Sequence, residues 1–87
     1  MVIVWTSKAR RDLEDAHAYI ARDDLSRATE TVQKIVVAIN RLTDFPSMGR
    51  PGRKSGTREL VVPRLPYRVQ NDEVVIVRIL HTSRRWT

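Results

Sequence analysis

Cysteine is absent from this 87-residue chain, and histidine occurs only twice. Disulfide staples and thiolate metal sites are therefore excluded. Two histidines without a spaced ligand set do not make a structural zinc site either. No metal or cofactor is expected, and stability has to come from packing within the small core such a short chain can bury. A cysteine-free composition fits a reducing, cytoplasmic location. Long apolar runs are missing too: "IVVAI" and "VVIV" fall far short of the roughly 20 residues that span a bilayer. "MVIVW" has no basic region before it and no small-residue cleavage site after it, so it is not a signal peptide. The expectation is one domain over residues 1–87, with no membrane partner.

Charge is abundant and unevenly placed. The net charge is +6. Residues 1–44 are neutral overall, so the whole excess lies in residues 45–87. The cations there are Arg50, Arg53, Lys54, Arg58, Arg64, Arg68, Arg78, Arg84 and Arg85, all but one of them arginine. Arginine keeps its charge and makes forked hydrogen bonds to phosphate or carboxylate. The half is either a solvated basic face or a surface for a polyanion or acidic partner.

"VIVWT" is β-branched and aromatic, so residues 2–5 read as a strand, and Thr6 or Ser7 caps a helix. Ala9, Leu13, Ala16 and Ile20 then recur at helical spacing, opposite Arg10, Arg11, Glu14 and Asp15. "RDD" at 22–24 breaks the pattern. Ser26 is the expected cap of a second helix, whose stripe is Ala28, Val32, Ile35, Ile39 and Leu42. The two helices form an antiparallel hairpin. Residues 45–57, "FPSMGRPGRKSGT", form a loop. "RELVV" and "YRVQ" read as strands joined by "PRLP". "ND" marks a hairpin, and "EVVIVRIL" reads as the longest strand, central in its sheet. The predicted fold is α+β, in the order β-α-α-β-β-β: a small, mostly antiparallel sheet with the N-terminal helical hairpin on one face.

"GRPGRKSG" at 49–56 lacks the Gly-Lys-Ser/Thr entry into a helix that a nucleotide loop requires. It is better read as a cationic arm able to touch a nucleic-acid backbone. His17 is read as a boundary residue of the first helix. His81 follows a buried strand beside cations that favour its neutral form, and either caps the strand end or moves a proton. Trp5 is expected in the core. Tyr67 either joins the core or presents its hydroxyl on the sheet surface. Trp86 packs back on the helices or stacks on a base or partner ring. Arg68 and Arg78 interrupt apolar strands. Either an open sheet face gathers Arg58, Arg68, Arg78 and Arg84 into one positive groove, or these two arginines pair with Glu59 or Asp72.

Four stretches in order, "VIVWTSKARRDLEDAHAYIA", "AINRLTDFPSMGRPGR", "GTRELVV" and "VVIVRILHTSRRW", resemble the RelE/ParE superfamily of bacterial type II toxin–antitoxin toxins. The "LHTSRRW" ending is more similar to the ParE-like branch. "LPYRVQNDE" is shorter than the family's usual third strand. The resemblance implies a small basic toxin held inactive by a cognate antitoxin encoded nearby. In the ParE-like branch it implies inhibition of DNA gyrase by binding. Contacts to target or partner would then fall to Arg50, Arg53, Lys54, Arg58, Tyr67, Arg84, Arg85 and Trp86. The RelE-like alternative is a ribosome-dependent mRNA endoribonuclease. There Arg58, Arg68 and Arg78 would stabilise the phosphorane and His81 would act as acid or base. A basic nucleic-acid-binding module without toxicity is the third reading.

Overall fold

In the computed structural model, residues 1–61 and 64–80 are described. The chain runs β1 (Val2–Trp5), α1 (Ser7–Ala21), α2 (Leu25–Arg41), β2 (Arg50–Pro51), β3 (Arg58–Leu60), β4 (Leu65–Gln70) and β5 (Glu73–Ile76). Among the described residues the strands form one sheet in the order β1-β5-β4-β3-β2. β1 lies parallel to β5, and the other pairs are antiparallel. The expected α+β architecture is therefore present, with a short extra strand, β2, inside the segment read as a loop.

Local chemistry explains the element boundaries. Thr6 caps α1: its hydroxyl accepts from the Ala9 amide at 3.1 Å and donates to the Ile76 carbonyl at 2.8 Å. One side chain thus closes the helix start and ties it to the end of β5. α2 is capped by Asp24, which accepts from the Arg27 amide at 3.0 Å, and not by Ser26, which lies within the first turn. The stronger acceptor two residues earlier leaves Ser26 no capping role. The β4–β5 turn has Asn71 and Asp72 both at positive φ, the geometry that matches the twist of a two-residue hairpin.

The core lies between the helical hairpin and one face of the sheet. Ala9, Ile35, Ile39 and Leu42 pack with Leu60, Leu65, Tyr67, Val74, Ile76 and Ile79, and Ile3, Trp5 and Leu13 seal its margin. Register gives the other face. Val4 pairs with Val75, Val75 with Arg68, Pro66 with Glu59, and Glu59 with Arg50, so all six turn away from the helices.

β5 departs from the sequence reading. It covers four residues and not the eight of "EVVIVRIL", and six-residue β4 is the longest strand among those described. The cause is a β-bulge. From the Tyr67–Ile76 pair to the Arg64–Leu80 bridge, three steps on one chain face four on the other. Val77 still donates to the Pro66 carbonyl at 3.0 Å and Leu80 to the Arg64 carbonyl at 2.7 Å, so pairing resumes beyond the extra residue. β4 correspondingly starts at Leu65, within the "PRLP" segment expected to be a connection.

Candidate functional site

The bulge decides where Arg78 goes. Its Nε donates to Asp12 Oδ2 at 2.7 Å and its Nη2 to Asp12 Oδ1 at 3.0 Å, a forked pair with helix α1. The Ile79 amide, freed from the ladder by the bulge, donates to the same Asp12 Oδ2 at 3.0 Å. One carboxylate therefore satisfies both the cation and the stray backbone donor. The hydrogen bond to Asp12 raises the Arg78 pKa above its ordinary value, and burial opposes the shift. The expected alternatives for Arg78, an open face or a partner in Glu59 or Asp72, do not occur. Nothing in the spacing around Asp12 pointed to this role.

Arg58 and Tyr67 form a second anchored group. Tyr67 is fully buried. Its hydroxyl donates to the Pro46 carbonyl at 2.7 Å and accepts from the Gly49 amide at 3.0 Å. Arg58 shares the helix-side face with Tyr67 and donates through Nη1 to the Gly49 carbonyl at 2.9 Å and the Ser47 carbonyl at 3.4 Å. Together they hold residues 46–49 against the sheet. A Cβ on Gly49 would stand 2.7 Å from the Tyr67 hydroxyl, which is why glycine occupies that position. Of the two places open to Tyr67, the core is the one it takes.

The outer sheet face gathers a different set of cations. Arg50 Nη2 donates to Glu59 Oε1 at 3.1 Å, and Arg64 Nε lies 3.6 Å from the same oxygen. Glu59 is buried, whereas the Arg50 side chain is 61% exposed and that of Arg64 35%. Arg64 Nε is itself buried and without a hydrogen-bond partner among the described residues. Arg68 is exposed two residues further along from Pro66 on this face. The single groove expected from Arg58, Arg68, Arg78 and Arg84 is thus not what forms among the described residues. Arg58 faces the helices, Arg78 is bound to Asp12, and Arg50, Arg64 and Arg68 share the outer face around Glu59. Arg64 escaped sequence reasoning because the strand was started at Tyr67, which hid the 64-66-68 alternation.

Arg53 and Lys54 stand exposed at the tip of the β2–β3 hairpin. The tip is closed by the Gly52 amide on the Thr57 carbonyl at 2.8 Å and by the Thr57 hydroxyl on the Lys54 carbonyl at 2.6 Å. Gly56 adopts φ +80, a conformation open to glycine without strain. The segment is a hairpin where the sequence suggested a loop serving as a cationic arm. His81, Arg84, Arg85 and Trp86 lie outside the described residues. No group of histidine and acidic side chains that could hold a metal occurs among the described residues, and no helix there is long and apolar enough to cross a membrane.

Comparison with known proteins bears on this arrangement. The sequence matches the family model of the ParE toxin of type II toxin–antitoxin system, parDE, over residues 3–86. A Sinorhizobium fredii (strain NBRC 101917 / NGR234) protein named "Putative toxin Y4kP" is 40% identical over 88 residues, 97% of this chain and 91% of that protein. A chain of the chromosomal ParDE system from P. aeruginosa superposes with a TM-score of 0.81 at 32% identity, covering 93% of this chain and 95% of that one. A chain of the toxin–antitoxin complex RelBE2 from Mycobacterium tuberculosis superposes with a TM-score of 0.68 at 27% identity, over 92% of this chain and 95% of that one. With its fold, basic half and family match in agreement, the chain belongs to the ParE toxin family of type II toxin–antitoxin systems, within the RelE/ParE superfamily.

Proposed function

We propose that this toxin acts by binding DNA gyrase, and that a cognate antitoxin encoded nearby holds it inactive in the cytoplasm. The observation that carries the reading is the dispersal of the three cations a ribonuclease would need to converge. Arg58 is engaged with the Ser47 and Gly49 carbonyls on the helix side. Arg78 is engaged with Asp12, and Arg68 stands on the opposite face. A phosphorane needs pre-aimed cations around a single point, and these three aim at different places. Inhibition by binding makes no such demand and needs only an exposed basic surface of fixed shape. The ParDE relative supports an antitoxin partner of the same kind.

The test is gyrase-catalysed supercoiling of relaxed plasmid with purified toxin, alongside transcript mapping after induction in cells. Loss of supercoiling or accumulation of cleaved plasmid, with intact transcripts, is expected. Cuts within translated messages and unimpaired supercoiling at excess toxin would replace this reading with the RelE-like one.

A further inference from the structure

We propose that the outer sheet face, from the β2–β3 tip to the middle of β4, seats the phosphate backbone of duplex DNA, with buried Glu59 holding its arginines in place. This goes beyond gyrase binding and does not depend on it, because the contact is made by this chain alone.

The argument begins with charge. Arg50, Arg64 and Arg68 share the outer face, and Arg53 and Lys54 project from the hairpin that carries Arg50. The carboxylate among them is Glu59, whose side chain is 6% exposed, so an incoming ligand meets the guanidiniums and not the acid. Glu73, on the same face, lies at the opposite end of β4 beside Gln70 and bounds the seat there. Arginine forks match phosphate oxygens in pairs.

Glu59 gives the patch its order. Two adjacent guanidiniums repel each other and lose much rotamer freedom when fixed. Here one buried oxygen accepts a hydrogen bond from Arg50 at 3.1 Å and lies within ion-pair range of Arg64 at 3.6 Å before any ligand arrives. A surface pre-organised in this way binds better than the same charges on free side chains.

The duplex is favoured over a single strand by what the described residues of the face lack. Single-strand binders stack bases on aromatic rings. Trp5 and Tyr67 both turn to the helix side, and the described residues of the outer face are Val2, Val4, Glu73, Val75, Pro66 and Gln70 besides the charged group. With no stacking platform among the described residues, the contacts they offer are to backbone phosphates.

The experiment is fluorescence anisotropy of the free, full-length toxin with a labelled 20-base-pair duplex and the matching single strand across a salt series, with helix content checked by circular dichroism. Tighter binding to the duplex, falling steeply with salt, is expected. Removing two phosphate contacts with Arg53→Gln/Lys54→Gln should reduce the log–log salt slope by about 1.8. Arg22→Gln/Arg27→Gln removes the same charge from the helical hairpin and should leave the slope nearly unchanged. Glu59→Gln is the sharpest variant, since it makes the protein more positive. Diffuse attraction predicts tighter binding, whereas an organised seat predicts weaker binding by roughly threefold or more. Tighter binding by Glu59→Gln, equal losses in the two double variants, preference for the single strand, or no binding at low salt would each overturn the proposal. The tip residues are exposed and keep the test valid if Glu59→Gln fails to fold.

Discussion

Asp12 is expected to matter more to stability than the arginine it pairs with. Asp12→Ala removes the acceptor of the Ile79 amide and both oxygens of the Arg78 fork. Leaving a part-buried amide without a partner costs about 1–3 kcal/mol. The ion pair, with the Arg78 side chain 40% exposed, adds only about 0.5–1 kcal/mol after solvent screening. The sum is about 1.5–4 kcal/mol, and in a domain of this size each kcal/mol lowers Tm by about 4–8 °C. Arg78→Ala forfeits the pair but leaves Asp12 on the Ile79 amide, so its cost stays near 1 kcal/mol or below. Asp12→Asn keeps one carbonyl oxygen for the amide and should fall between the two. Urea unfolding of the three variants and the Asp12→Ala/Arg78→Ala double variant, followed by circular dichroism, measures the order. The double variant should be barely worse than Asp12→Ala alone. A cost for Arg78→Ala equal to or above that of Asp12→Ala would refute the reasoning, because the ion pair and not the bulge amide would then dominate. The sign with pH is also fixed. The Arg78 pKa is raised by its Asp12 hydrogen bond, so its contribution is complete below arginine's unfolded pKa and is lost only as pH climbs through the folded value. The Arg78→Ala cost should therefore stay flat on going from neutral to mildly alkaline solution.

Other consequences are more local. Tyr67→Phe removes the acceptor of the Gly49 amide and should destabilise by about 1–3 kcal/mol, seen as a lower urea midpoint with an unchanged denaturant slope. Gly49→Ala forces a methyl against the Tyr67 hydroxyl at 2.7 Å and should cost about 1–3 kcal/mol through overpacking, a loss that Tyr67→Leu in the same chain partly relieves. Thr6→Ala deletes the α1 cap and the Ile76 tie and should lower stability by about 1–2 kcal/mol, with faster amide exchange at Ala9. Ile39→Ala empties a site 1% exposed and should cost about 2–5 kcal/mol, by thermal or chemical unfolding.

Much of the fold was legible because it rests on short-range rules. Apolar residues at helical spacing marked both helices, and of the second stripe Ala28, Ile35, Ile39 and Leu42 are buried while Val32 is half-buried. The Asn71–Asp72 turn announced its hairpin through residues that tolerate positive φ. Strand ends were less legible. A bulge inserts a residue without any compositional mark, so "EVVIVRIL" looked continuous although its ladder shifts after Ile76. Misplacing the start of β4 followed from the same difficulty, since Pro66 reads as a breaker while its carbonyl still accepts from Val77.

The sequence by itself determined the element order apart from the short β2, most of the core stripe and the concentration of positive charge after residue 44, because periodicity and charge are properties of the chain. It also carried the family, through ordered motifs spanning nearly its whole length. Only the tertiary structure decided which cations act together. Strand register assigns each side chain to a face, and a one-residue shift reverses the assignment. That parity placed Arg58 with Tyr67, brought Arg64 beside Glu59, and, through the bulge, gave Arg78 to a carboxylate 66 residues earlier in the chain.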